Sequence, residues 1–145
     1  MDFVVNQLTF STLIDKIVIA TTNLEEDDII EKNAKTLGID CFRGSSDDVL
    51  DRYYQCAKKF QINTIVRITS DCPLIDPQIV DDVIRKYQHE DYDYVTNTLS
   101  RSYPIGTDVE IAHVRFGKTV RSGGLRDRPG ARGAPTVDGG LEAPG

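Results

Sequence analysis

Three observations predict a three-layer α/β/α domain with a mostly parallel sheet. Short β-branched runs alternate with amphipathic helical segments in the order β-α-β-α-β-α-β, and such alternation calls for crossover helices on the faces of a sheet. Cap and stop residues, among them Gly38, Ser45 and the Asp76-Pro77 pair, fall between the runs. The length of 145 residues, 39% hydrophobic and 28% charged, suits one globular domain with an ordinary core.

Taken in order, Phe3, Val4, Leu8, Phe10, Leu13 and Ile14 suggest an opening helix, although the stretch 9–12 consists of poor helix formers. Residues 16–21 form a β-branched run that predicts a buried strand. Residues 25–38 begin with four acids, carry Lys32 and Lys35 late and end at Gly38, a helix with dipole-matched ends and a glycine stop. A short strand at 40–43 leads through Gly44 to a helix that Ser45 would cap, with Val49, Tyr53, Cys56, Ala57 and Phe60 as its apolar stripe. Residues 64–69 predict the central strand. After the loop 70–75, Asp76 and Pro77 open a helix with Ile79, Val80, Val83, Ile84 and Tyr87 on one face. Strands are expected at 92–96 and 108–112.

The composition changes late in the chain. Residues 1–114 carry 11 basic and 20 acidic side chains, whereas residues 115–145 hold 8 of the 11 glycines, 3 of the 6 prolines and a net charge of +3. The apolar residues there follow no period, so 1–114 is read as the domain and 115–145 as a Gly/Pro/Arg-rich disordered tail, foreign in character to what precedes it. No apolar run reaches the roughly 20 residues of a membrane span, and the N-terminus has no basic-then-apolar signal pattern. Three cysteines without C-x-x-C spacing argue against a disulfide framework or a zinc site and for a reducing cytoplasm. The formal charge of −6 argues against nucleic acid as a partner. An anionic substrate would need local basic groups or a metal.

Ligands of such sheets bind beyond the carboxyl ends of the strands, and three places there bear chemistry. Arg43, Gly44 and Ser45 follow a strand and open a helix, so backbone N–H groups could face an anion or a ring carbonyl; the alternative is a capped helix with an exposed Arg. Asp71 follows the central strand and is a hard oxygen donor suited to Mg2+, or else it caps the turn before Cys72-Pro73. Asp108 and Glu110, two apart on a strand, face one side. They either line a solvated edge or, with Asp71, make a divalent-metal site.

Phe42-Arg43-Gly44-Ser45, Asp48-Val49-Leu50-Asp51-Arg52-Tyr53, Asp71-Cys72-Pro73-Leu74-Ile75-Asp76-Pro77 and Gly106-Thr107-Asp108-Val109-Glu110 occur in this order. Together they resemble the cytidylyltransferase family that includes acylneuraminate cytidylyltransferases and the spore coat polysaccharide biosynthesis protein F group. The resemblance implies a nucleotide-diphospho-sugar-transferase-like fold. It implies transfer of CMP from CTP to a sugar or sugar acid with release of pyrophosphate, for cell-surface or spore-coat polysaccharide, and it leaves room for a homodimer. By that resemblance Arg43, Gly44 and Ser45 sit beside the cytosine with Arg52 nearby, Asp71 and Arg52 are the catalytic groups, and Asp71, Asp108 and Glu110 hold Mg2+.

The resemblance covers residues 3–114, roughly half of a full-length member. The family's opening strand and its G-S-x-R-x-P-G-K triphosphate loop have no counterpart here. The chain as it stands is therefore expected to be weakly active or inactive, and to lack a central strand. A glycosyltransferase using a nucleotide-sugar and a non-catalytic truncated binding module are the competing readings. The first would offer a D-x-D motif, whose nearest match is Asp108-Val109-Glu110.

Overall fold

The computed structural model describes residues 1–89, 92–99 and 103–114. The disordered tail expected at 115–145 lies outside the described residues. Helix α1 spans Asp2–Leu8, strand β1 Val18–Thr22, a 3-10 turn Glu25–Asp27, α2 Asp28–Thr36, β2 Asp40–Gly44, α3 Val49–Lys59, β3 Thr64–Arg67, α4 Pro77–His89, β4 Tyr94–Thr96 and β5 Glu110–His113.

Local chemistry sets these boundaries. Helix α1 is shorter than the apolar pattern suggests: Thr9 turns its hydroxyl onto the Asn6 carbonyl at 2.7 Å and the helix stops. Gly38, at φ +69°, takes the left-handed position just past α2. Helix α3 is capped by Asp48, whose carboxylate accepts from the Asp51 amide at 2.8 Å. Ser45, the expected cap, instead accepts from the Asp48 amide at 3.0 Å and shapes the turn before the helix. Asp76 accepts from the Gln78 amide at 2.8 Å, with Pro77 at the first position of α4.

Strands β1 and β2 pair in parallel, Val18 opposite Asp40 through Thr22 opposite Gly44. Along β2 the side chains alternate: Gly44 and Phe42 lie against Arg52 of α3, whereas Arg43 reaches Asp28 and Glu31 of α2. The two helices therefore cover opposite faces, and the α/β layering is realised. The other strands form the order β3-β5-β4, with β5 antiparallel to both neighbours. Strands β3 and β4 thus run parallel to each other, and the reversed strand sits between them.

The core lies between this second sheet and helices α1 and α4. Val80, Val83, Val95, Val109 and Ile111 are fully buried, with Val4, Leu8, Ile75 and Ile84 packed around them. Each such side chain contributes about 1.5–3 kcal/mol by leaving water. Asp81, on α4, joins the connection after α1 to this core. It accepts from the Ser11 hydroxyl, from the Thr12 amide at 3.0 Å and from the Thr12 hydroxyl at 2.7 Å. Among the described residues no helix is long and apolar enough to cross a membrane.

Candidate functional site

The Phe42–Ser45 turn is a packed joint. Gly44 has no room for a side chain: a Cβ there would stand 2.7 Å from the Phe42 ring and 3.0 Å from Cγ of Arg52. The glycine lets α3 approach β2 closely, and this carries Arg52 to the turn. One terminal nitrogen of Arg52 donates to the Ser45 carbonyl at 2.7 Å. Its Nε is buried without a hydrogen-bond partner among the described residues. A buried N–H left unpaired is costly, and the packing of the Arg52 stem on Gly44 has to offset that cost.

Arg43, expected beside the base, is bonded within the chain on every guanidinium nitrogen. Its Nε donates to the Thr22 carbonyl at 3.0 Å, one terminal nitrogen to Asp28 at 2.5 Å and Glu31 at 3.1 Å, and the other to the Leu24 carbonyl at 2.7 Å. These bonds tie the ends of β1 and β2 to α2. Asp27 reinforces the same corner by accepting from the Thr21 hydroxyl at 2.7 Å and from the Thr22 amide at 2.9 Å and hydroxyl. The Thr22 hydroxyl leads the interactions that hold the Asp27 carboxyl below its usual range. The acids at the start of α2 match the helix dipole in sequence; in space Asp28 and Glu31 also anchor Arg43.

Beyond β3 the chain turns twice. The Cys72 amide donates to the Thr69 carbonyl and the Ile75 amide to the Cys72 carbonyl, both at 3.2 Å. Cys72 and Ile75 point into the core while Asp71, Pro73 and Leu74 point outward. The strand expected to reach residue 69 ends at Arg67 because this turn begins at Thr69. Gly106, at φ +94°, rests against this loop: a Cβ there would meet Leu74 at 3.8 Å and Pro73 at 4.0 Å. The loop bearing Asp71 and the loop leading to Asp108 are therefore neighbours.

Thr107, Val109 and Ile111 are buried, so Asp108 and Glu110 share the opposite side, as their spacing predicts. Glu110 meets Arg67 at 2.7 Å across the β3–β5 ladder, where the two are register partners. Arg67 also lies 5.6 Å from the centre of the Tyr53 ring. Tyr53, Arg67, Tyr94 and Glu110 border a cavity of about 100 Å³ between α3 and the sheet. Among the described residues no three His, Cys, Asp or Glu side chains gather as a metal-holding group. The structure thus links the Asp71 and Asp108 loops, and pairs Glu110 with Arg67.

Sequence reasoning missed Asn97. This buried residue donates its side-chain N–H to the Thr107 carbonyl at 2.8 Å, and its side-chain oxygen accepts from the Val109 amide at 2.9 Å. It fixes the approach to β5 from both sides of Asp108. An Asn directly after a strand of Thr and Val was the available signal.

An α/β fold with chemistry-bearing loops beyond its strands is the layout in which open-sheet proteins bind their ligands. Residues 1–112 match the family model described as cytidylyltransferase, and the chain belongs to that family. It is 36% identical over 104 residues to the spore coat polysaccharide biosynthesis protein SpsF of Bacillus subtilis, which covers 70% of this chain and 41% of that protein. It is also 36% identical over 96 residues to the uncharacterized protein MJ1063 of Methanocaldococcus jannaschii, covering 66% of this chain and 40% of that protein. The chain thus spans about two fifths of the length of these curated relatives. A cytidylyltransferase structure from Leptospira borgpetersenii superposes with a TM-score of 0.79 at 35% identity, covering 83% of this chain and 51% of that one. A CMP:2-keto-3-deoxy-manno-octonic acid synthetase complexed with CTP superposes at 0.65 and 9% identity, covering 83% and 66%, and shares the fold.

Proposed function

We propose that the chain acts in transfer of CMP from CTP to a sugar or sugar acid, in cytoplasmic synthesis of a cell-surface polysaccharide. The single observation that carries this reading is the match of residues 1–112 to the cytidylyltransferase family model, with the Ser45 turn and Arg52 packed together on Gly44 inside it. Arg52 and Ser45 are the nucleotide contacts in this reading, Gly44 brings them together, and Arg43 holds the turn from behind.

In the reaction a sugar hydroxyl oxygen bonds to the α-phosphorus as its proton passes to solvent water, while the bond from that phosphorus to pyrophosphate breaks. Arg52 orients the base and the 71–76 loop faces the phosphates. The chemistry of hard carboxylate donors on two touching loops fits Mg2+, with Asp71 and Asp108 holding it. Bound Mg2+ supplies charge neutralisation on the triphosphate.

Calorimetric titration with CTP and UTP, with and without MgCl2, tests the reading. CTP is expected to bind in preference to UTP, Mg2+ to strengthen it, and Asp71→Asn to remove the Mg2+ effect. Pyrophosphate release on adding a sugar acid would follow. Absence of CTP binding under all conditions would overturn the reading in favour of a non-catalytic module. Sugar transfer from a preformed nucleotide-sugar would point to a glycosyltransferase.

A further inference from the structure

We propose that Arg67 and Glu110 form a positioning pair that sets the two loops bearing Asp71 and Asp108, and that Glu110 is not itself a metal ligand. The inference rests on the proposed site and reassigns one of its three carboxylates.

The argument begins with the ladder. Strands β3 and β5 pair from Thr64–His113 to Arg67–Glu110, so this pair is the last rung before the strands diverge into loops. Asp71 follows Arg67 by four residues and Asp108 precedes Glu110 by two. Whatever fixes this rung fixes the base of both loops. The 2.7 Å ion pair does so with charge-assisted geometry. Among the described ion pairs it is the one joining β3 to β5.

The surroundings hold each partner in place. The Arg67 guanidinium lies 5.6 Å from the centre of the Tyr53 ring, which sets the rung against α3. Tyr94 of β4, on the other side of β5, borders the same cavity as Glu110. Both charged side chains are about one-third exposed, at 35% and 31%. Drawing Glu110 away to a cation would leave Arg67 half-buried without its carboxylate, beside a cavity walled by apolar and aromatic groups. Glu110 therefore acts through the backbone of β5 rather than as a donor.

The test uses the full chain and Mn2+ as a spectroscopic stand-in for Mg2+, read by paramagnetic resonance in the presence of CTP. Glu110→Gln and Arg67→Met are each expected to weaken Mn2+ binding by about tenfold, the range of residues that orient ligands. The two losses should not add. The exchanged pair, Arg67→Glu with Glu110→Arg, is expected to recover most of the binding. A direct ligand gives the opposite pattern: Arg at 110 abolishes binding, and Arg67→Met leaves it intact or strengthens it. That result would overturn the proposal. Amide hydrogen exchange supplies a readout without metal. Arg67→Met should speed exchange in residues 69–75 and 104–109 together while circular dichroism stays unchanged. Unchanged exchange in both loops would also overturn the proposal. Failure of the wild-type chain to bind Mn2+ with CTP would refute the Mg2+ reading instead, and the exchange result would still decide the pair.

Discussion

Gly44 lies so close to Arg52 that a Cβ on the glycine would stand 3.0 Å from Cγ and 3.5 Å from the Cα of that residue, with the Phe42 ring at 2.7 Å. The glycine is thus required by helix-on-strand packing. Gly44→Ala is expected to destabilise the chain by about 1–3 kcal/mol, the usual cost of overpacking. Phe42→Leu on that background should restore part of the loss, because the ring is the nearest obstacle. Urea unfolding of the two single variants and the double variant checks this, and strictly additive losses would contradict it.

Asn97 gives a second prediction. Asn97→Ala strands the Val109 amide and the Thr107 carbonyl inside the protein, at a cost of about 1–3 kcal/mol per unsatisfied group. Asn97→Asp retains the acceptor for Val109 but places a carboxylate against the Thr107 carbonyl. It should therefore be at least as damaging at pH 7 and improve on acidification. The measurement is the urea midpoint of each variant at two pH values.

The sequence made the elements legible because their signals are local. Gly38, Asp76-Pro77 and the apolar stripes of α3 and α4 lie within a few residues of what they control. The same holds for the shared side of Asp108 and Glu110, which follows from strand period alone. The Glu110 contact was not legible. It depends on β5 running antiparallel beside β3, a pairing across 43 residues of chain. The Arg43 corner was not legible for a related reason: its partners Asp28 and Glu31 lie on helix α2, and their orientation towards β2 follows from the crossover. The capping of α3 passed from Ser45 to Asp48 because both motifs fit the sequence, and only the turn geometry decides between them.

Asp81 predicts an acid limb in stability. Burial alone would raise its carboxyl, but bonds from Ser11 and Thr12 outweigh that and hold it below the usual range. A carboxyl lowered on folding stabilises the native state fully above its unfolded value, about 3.9. That stability is lost as pH falls through the lower native value. Stability is therefore expected to decline below about pH 4, and Asp81→Asn should flatten this decline while costing about 1–3 kcal/mol at neutral pH. Unfolding curves between pH 2.5 and 7, taken with and without the substitution (values spanning the range in which Asp titrates, about 4 included), would show it. An unchanged acid slope in the variant would assign the effect to another group.

The two arginines of the Phe42–Tyr53 region separate structure from binding. Arg43 closes a corner made of Thr22, Leu24, Asp28 and Glu31, and each of its guanidinium nitrogens is engaged there. Arg43→Ala would leave Asp28 and Glu31 without their shared cation and two carbonyls without a donor. It is expected to lower the midpoint of thermal unfolding while CTP affinity, measured below that midpoint, stays within a factor of about two. Arg52 has one bond to the Ser45 carbonyl, and its Nε is buried without a partner among the described residues. Arg52→Met keeps the stem that packs on Gly44 and removes the donor. It is expected to lower CTP affinity by about tenfold or more, the worth of a hydrogen bond from a charged group, with a smaller shift in the unfolding midpoint than Arg43→Ala. Should Arg43→Ala abolish binding and Arg52→Met spare it, the base would lie against β2 and α2, and the assignment of Arg52 to the nucleotide would fall.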